Sequence, residues 1–173
     1  SDEITVVQID AHMDLREDDT DYSDAPHGIF AHATVMRRAL DLGFKTTQIG
    51  VRAYAREELA FAKDNSLLFF EWKGESVPDP TVIAESIPTD NVYLTIDVDG
   101  IDPAFMPATG TPVQGGLEWY YFLNLIQQIF RRHHIIGADI VEVAPRPEDV
   151  LTEYGAAQIC YTIIALRGFY KRE

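Results

Sequence analysis

The chain has 173 residues, 46% of them hydrophobic and 11% aromatic, enough for one domain with a buried core. Its formal charge of −14, from 28 acidic against 14 basic residues, argues against nucleic acid, whose phosphates need a basic face, and favours metal ions or amines. No apolar run of about 18 residues suggests a membrane span, no basic-then-apolar leader is visible, and the single cysteine, Cys160, leaves no internal disulfide and suits a reducing cytoplasm.

In chain order, the β-branched run from Ile4 to Asp10 reads as a buried strand. Residues 27–42 read as a loop entering a helix, stopped by Gly43. Thr46–Val51 is a short strand, Ala55–Asp64 a helix and Leu67–Phe70 a buried strand. Pro78 and Pro80 break the chain before a short helix over Pro80–Ser86, and Asn91–Asp97 is a strand. Leu123, Ile126 and Phe130 lie at helical spacing within a long amphipathic helix over Leu117–His133. A strand over Ile135–Val143 and a helix over Tyr154–Tyr170 close the chain. Such alternation predicts a mostly parallel sheet covered on both faces, an α/β fold.

Two acidic strings follow two of these strands: Asp10-Ala11-His12-Met13-Asp14, and Asp97-Val98-Asp99-Gly100-Ile101-Asp102-Pro103. Carboxylates at the C-terminal edge of parallel strands lie where open α/β sheets bind ligands. Residues i and i+2 of an extended chain share a side. Asp10, His12 and Asp14 are therefore poised to converge, as are Asp97 and Asp99. Four carboxylates and one imidazole form a hard, oxygen-rich donor set that suits Mn²⁺. Two bridged ions about 3.5–4 Å apart are a known way to make a hydroxide nucleophile. Taken alone, either string also fits a surface turn, and Asp-Gly often marks one.

The strings Val-Val-Gln-Ile-Asp-Ala-His-Met-Asp (6–14), Ile-Asp-Val-Asp-Gly-Ile-Asp-Pro-Ala-Phe (96–105) and Gly-Ala-Asp-Ile-Val-Glu-Val-Ala-Pro (137–145) resemble the ureohydrolases, the arginase and agmatinase family. Residues 107–112 and 115–117 extend the second match, and residues 31–38 are similar to the agmatinase branch. The resemblance implies a three-layer α/β/α fold, two Mn²⁺ ions, and hydrolysis of a guanidino group to urea and an amine. It implies that Asp10 and Asp97 bridge both ions, that Asp14 completes the first ion's set, and that His12 and Asp99 complete the second's. It places Glu142 as the carboxylate holding the substrate guanidinium, through two parallel N–H bonds. It places His32 as the proton-shuttling histidine.

Other readings accompany these. Glu142 could pair with Arg146, and His27 is a rival shuttle. His133 and His134, after Arg131 and Arg132, read as a solvated helix cap. Asp102 is expected to brace its loop through backbone N–H groups, with Gly115 and Gly116 as turn residues. Trp119, Tyr120 and Tyr121 are expected to pack.

The family's remaining metal ligand, a histidine in a Gly-Gly-Asp-His motif ahead of the first string, is not found in this chain. The expectation is a single domain over 1–173 corresponding to the C-terminal part of the family fold, N-terminally truncated, with one metal position short of its histidine. A short family member completed by another chain, or a silent partner subunit of little activity, are the alternatives.

Leu15 and Arg16 follow the first string, and Arg16 could bind a substrate carboxylate, as formiminoglutamase-type members would. Deacetylases share the architecture and an Asp-x-His element. Against a carboxylate, the acidic loop Glu17, Asp18, Asp19, Asp21 and Asp24, if near the mouth, would attract a polyamine tail and neutralise Arg16; a solvated loop is the alternative reading. The sequence thus points to an agmatinase-type enzyme with a small cationic guanidino substrate. Neither nucleic acid nor membrane is expected as a partner, and the assembly is expected to be a homo-oligomer, a trimer or hexamer as in the family.

Overall fold

The structure, a computed structural model, describes residues 3–20, 28–74 and 76–170. The β-branched runs form five parallel strands: β1 (Ile4–Ile9), β2 (Lys45–Val51), β3 (Leu68–Glu71), β4 (Asn91–Asp97) and β5 (His134–Val141). Their order across the sheet is β3-β2-β1-β4-β5. The chain runs outward from β1 to β3, then returns to lay β4 against the other side of β1. That reversal is a topological switch point, where the loops leaving two neighbouring strands part and open a crevice. Ile9 pairs with Ile96 in register, so Asp10 and Asp97 leave the sheet side by side.

Among the described residues, five α-helices complete the layers: α1 (Val35–Asp41), α2 (Arg56–Asp64), α3 (Pro80–Ser86), α4 (Trp119–Arg132) and α5 (Leu151–Phe169). The larger core sets Val7, Ile9, Leu94 and Ile96 against Ile83 of α3, Phe122, Ile126 and Ile129 of α4, and Ile159 of α5. The smaller core sets Met13, Leu15 and Val51 against Met36 of α1 and Ala62 of α2. The result is the expected three-layer α/β/α arrangement. On the α1 side, an apolar groove of about 420 Å³ remains open between α1 and the face of β4 and β5. Among the described residues, no helix is long and apolar enough to cross a membrane.

Helix α3 and strand β4 match the sequence reading to the residue, because Asp79 caps the helix by accepting from Thr81 N at 2.7 Å and Pro80 occupies its first position. Elsewhere the boundaries move. Within the loop entering a helix, Gly28–Phe30 and His32–Thr34 form 3₁₀ turns, and α1 begins at Val35. Leu117 is taken out of α4 because its backbone pairs with Gly100 and Asp102. The two histidines after α4 are not a solvated cap. His133 is buried, with ring nitrogens 2.9 Å from Thr89 O and 2.8 Å from Ala84 O, and His134 opens β5 with Nδ1 3.1 Å from Asn91 Oδ1. The expected packing role holds for Trp119, which stacks at a tilt on Phe122, and for Tyr121, edge-on to Trp72. Tyr120 is exposed.

One glycine decides how near the two acidic strings come. A Cβ on Gly100 would lie 2.8 Å from Asp10 N and 2.9 Å from Ile9 C, both rigid backbone. The turn after β4 can rest on the end of β1 only without a side chain there. Gly100→Ala is therefore expected to destabilise the fold by about 1–3 kcal/mol, as overpacking does, read as a lower denaturation midpoint at unchanged slope.

Candidate functional site

The first string continues β1 before it turns. Asp10 N bonds Ile49 O at 3.0 Å, and His12 still bridges in parallel to Ala53, so Asp10 and His12 share a side as the alternation predicts. Asp14 then takes a left-handed backbone, φ 52°, at a cost of roughly 1–2 kcal/mol for an L-residue. The turn aims its carbonyl at the start of α1, where Met36 N and Arg37 N donate to it at 3.1 and 3.3 Å. Its carboxylate stays beside that of Asp10, the two joined through the Gln8 amide.

The second string turns immediately. Asp97 Oδ1 accepts from Asp99 N at 2.8 Å and caps the 3₁₀ turn Val98–Gly100. Asp99 reaches across to the first string: Oδ1 accepts from Ala11 N at 3.1 Å, and Oδ2 lies 3.2 Å from His12 Nδ1. The same Nδ1 is 3.3 Å from Asp10 Oδ1. Asp10, His12 and Asp99 thus offer three ligand atoms within 4.8 Å of one another, a group able to hold a metal ion. Asp14 and Asp97 line the cavity at its side.

The second string is held in place by two residues that touch no ligand atom's face of the cavity. Asp102 accepts from the backbone of Ala104, Gly115 and Gly116 at 2.8–2.9 Å, the bracing role expected of it. Arg52, at the end of β2, donates to five carbonyls: Gly50, Asp99, Gly100, Val113 and Gln114. Its planar fork spans β2, the turn after β4 and the following loop at once, which a lysine point charge would not do.

Packing carboxylates this closely perturbs them. Burial, then the neighbouring Asp10, pushes Asp14 up to about 9, and burial with Asp10 and Asp99 pushes Asp97 up to about 9. Asp10 rises to about 6, chiefly from burial. Hydrogen bonds to Asp10 and Asp99 raise His12 to about 10, and the His12 hydrogen bond helps hold Asp99 low against its burial. Without a cation, the site therefore neutralises itself with protons.

These residues open into a cavity of about 410 Å³, reached also by Arg16, Asp19, His32, Glu58 and Glu142. Glu142 has φ 62°, a second left-handed carboxylate at the site. Arg146 donates to Thr109 O at 3.3 Å, and the Glu142–Arg146 pair does not form. Arg16 Nη1 binds Asp19 Oδ1 at 2.6 Å, so one acid of the loop neutralises it as anticipated. Asp19 is buried rather than solvated, and its other oxygen lies 4.0 Å from Nε2 of the exposed His32. Asp21, Asp24 and His27 lie outside the described residues. The sequence reading missed Glu58. This buried acid accepts from Leu15 N at 2.9 Å and Ala55 N at 2.7 Å, tying the end of the first string to the start of α2. It supplies only the glutamate half of a capping box, since Ala55 has no side-chain acceptor, so the Ser/Thr-x-x-Glu signal is absent from the sequence.

Comparison with known proteins follows the same lines. The Arginase family model matches residues 1–165. The chain belongs to the arginase family. An N(1)-aminopropylagmatine ureohydrolase from Synechocystis is 40% identical over all of this chain and 55% of its own length. An agmatinase from Halalkalibacterium halodurans is 37% identical over 83% of this chain and 48% of its own. The crystal structure of agmatine ureohydrolase from Thermoplasma volcanium superposes with a TM-score of 0.82 at 32% identity, covering 98% of this chain and 57% of that one. The chain thus spans about half the length of the curated arginase-family relatives it matches.

The perturbed carboxylates set a pH dependence for the cation-free chain. Asp14 and Asp97 keep protons up to about 9 and Asp10 up to about 6, where an unfolded aspartate loses its proton near ~3.9. His12 keeps its proton to about 10. The folded state thus binds more protons than the unfolded one between these limits, and stability falls as pH rises through them. Asp99, held low, opposes this only in acid. In chelator, the melting temperature is expected to drop steadily from about pH 5 to about pH 9; a rise over that range contradicts the site's electrostatics.

Proposed function

We propose that the chain carries five of the ligands of the binuclear manganese centre of an agmatinase-type amidinohydrolase, which cleaves a guanidino group to urea and an amine. The observation that carries this is the convergence of Asp10, His12, Asp14 and Asp97 on one cavity with Glu142, with Asp99 grouped behind them on Asp10 and His12. The donor set fits hard divalent cations. Four carboxylates and one imidazole outnumber the nearby positive charge, Arg52 being bound to backbone carbonyls and Arg16 to Asp19, and oxygen ligands with one imidazole suit Mn²⁺. Asp10 and Asp97, from the two adjacent strand ends, would hold the cations together with His12, Asp14 and Asp99. Cations in such a site supply, when bound, a water acidic enough to act as nucleophile at neutral pH.

The chain's own residues divide the remaining work. Glu142 projects into the cavity from its left-handed turn after β5, and its two oxygens can accept two parallel N–H bonds from a guanidinium. That would fix the electrophilic carbon against the carboxylate cluster and orient it for attack. His32, exposed at the rim near Asp19, can pass a proton to the departing amine nitrogen. Arg16 is engaged by Asp19, which disfavours a carboxylate-bearing substrate, and with Glu58 nearby the walls favour a cationic tail. Agmatine and its aminopropyl derivative are therefore the substrates proposed, in keeping with the names of the relatives.

With Mn²⁺ added, urea release is expected to rank aminopropylagmatine and agmatine above guanidinobutyrate, arginine and formiminoglutamate. Preference for a carboxylate-bearing member overturns the tail assignment and favours a direct role for Arg16. Glu142→Gln should lower kcat/KM by about 100-fold or more with bound Mn²⁺ unchanged. Asp97→Asn should instead lower the bound Mn²⁺ itself, measured by elemental analysis. No urea with Mn²⁺ bound, but amide turnover, would assign the site to deacetylation.

A further inference from the structure

Directly beneath the carboxylates, on the α1 and α2 face of the sheet, lies a row of polar side chains. Gln48 of β2 is paired in register with Gln8 of β1, and Gln8 with Thr95 of β4. Both glutamines are buried, at 0% and 2% exposure, where an amide is costly unless bonded. Gln8 Nε2 donates to Asp10 Oδ2 at 2.7 Å and to Asp14 Oδ2 at 3.0 Å. Gln48 Nε2 donates to Gln8 Oε1 at 2.6 Å and to Met13 O at 2.5 Å.

The direction of these bonds is forced. Met13 O is a carbonyl and only accepts, so Gln48 must face it with Nε2. The second proton of that nitrogen then requires an acceptor, so Gln8 turns Oε1 toward Gln48. Gln8 is left with its Nε2 facing the site. Reversing either amide sets oxygen against oxygen at the distances above. The amide of Gln8 therefore presents two donors to two carboxylates and cannot serve as a metal ligand there. Gln48 keeps this polarity at the expense of its own Oε1, which is buried without a hydrogen-bond partner among the described residues.

We propose that Gln48 and Gln8 are positioning residues, a one-way amide relay that holds the Asp10 and Asp14 carboxylates at their spacing and orients one oxygen of each. The inference rests on the metal reading above. Gln8 binds Oδ2 of both aspartates from below, while Asp10 Oδ1 accepts from His12 N at 2.6 Å. Gln48 acts at a distance: it touches neither carboxylate, but it fixes Gln8 and pins the backbone between His12 and Asp14. Polar groups behind ligands commonly set affinity in this way, and losing one costs about 10–100-fold in metal binding.

The test uses Gln8→Met and Gln48→Met in the intact protein, with Mn²⁺ titrated and the free ion followed by electron paramagnetic resonance, alongside melting in chelator. Both variants are expected to weaken Mn²⁺ binding by about 10-fold or more, including Gln48→Met, which removes no contact to a ligand. Lower melting temperatures with Mn²⁺ affinity within about two-fold of the unaltered protein would make the pair structural only and overturn the inference. Should the variants not fold, the unaltered protein decides. Relay protons of Gln8 and Gln48 should exchange slowly and their side-chain amides be rigid by nuclear magnetic resonance, and freely exchanging amides overturn the relay. Absence of Mn²⁺ binding by the unaltered protein is a distinct result, which removes the metal reading and the relay's purpose with it.

Discussion

Everything at this site depends on keeping like charges together. Asp10, Asp14, Asp97 and Asp99 face one small volume, and burial alone would drive them apart or neutralise them. The sheet prevents separation. Parallel pairing of β1 with β4 fixes Ile9 opposite Ile96, so the residues that follow emerge as neighbours whatever their charge. Repulsion between two carboxylates is worth a few kcal/mol at effective dielectrics typical of proteins. The hydrophobic face formed by Val7, Ile9, Leu94 and Ile96 against α3 and α4 stabilises the sheet by more than that, at about 1.5–3 kcal/mol for each large side chain fully buried.

Around that constraint the scaffold divides its tasks. Gly100 sets how close the second string can come, and Arg52 and Asp102 fix its loop through backbone groups alone. On the first string, Glu58, Gln48 and Gln8 do the equivalent from below and behind. Arg52 binds carbonyls, not the carboxylates it lies beneath. Its charge is felt by the cluster without occupying any ligand oxygen. Two of the four left-handed non-glycine residues among the described residues, Asp14 and Glu142, lie at the cavity, where each side chain must leave the sheet's direction to face it.

Much of this was legible in the sequence because its signals are local. A β-branched run ending in alternating carboxylates identifies a strand edge, and Pro80 after Asp79 marks a helix start. Both strings were readable for that reason, and their convergence followed from parallel-sheet logic. What escaped depends on register or on partners distant in sequence. Gln8 and Gln48 look like ordinary polar strand residues until β1 and β2 are aligned and they fall opposite each other. His133 follows two arginines and looks solvated, yet the approach of Ala84 and Thr89 buries it. The acidic run showed that one of its acids would pair with Arg16, but not that Asp19 is the one, nor that it is buried there. The point where the loop over 27–42 becomes helix was not legible, because the short 3₁₀ turns at 28–34 leave no periodicity to detect.

The strand order has a consequence for how the site comes into being. Ala11 and Asp99 are 88 positions apart in the chain, and β2 and β3 must be laid outward before β4 can return to β1. Contacts of such long range form late, since closing the intervening chain costs entropy that only the finished pairing repays. The two halves of the ligand set therefore do not meet in any early, locally built intermediate. A divalent cation that needs both halves can report completion of the central strand pair, and its capture rate during refolding would serve as a clock for that single event.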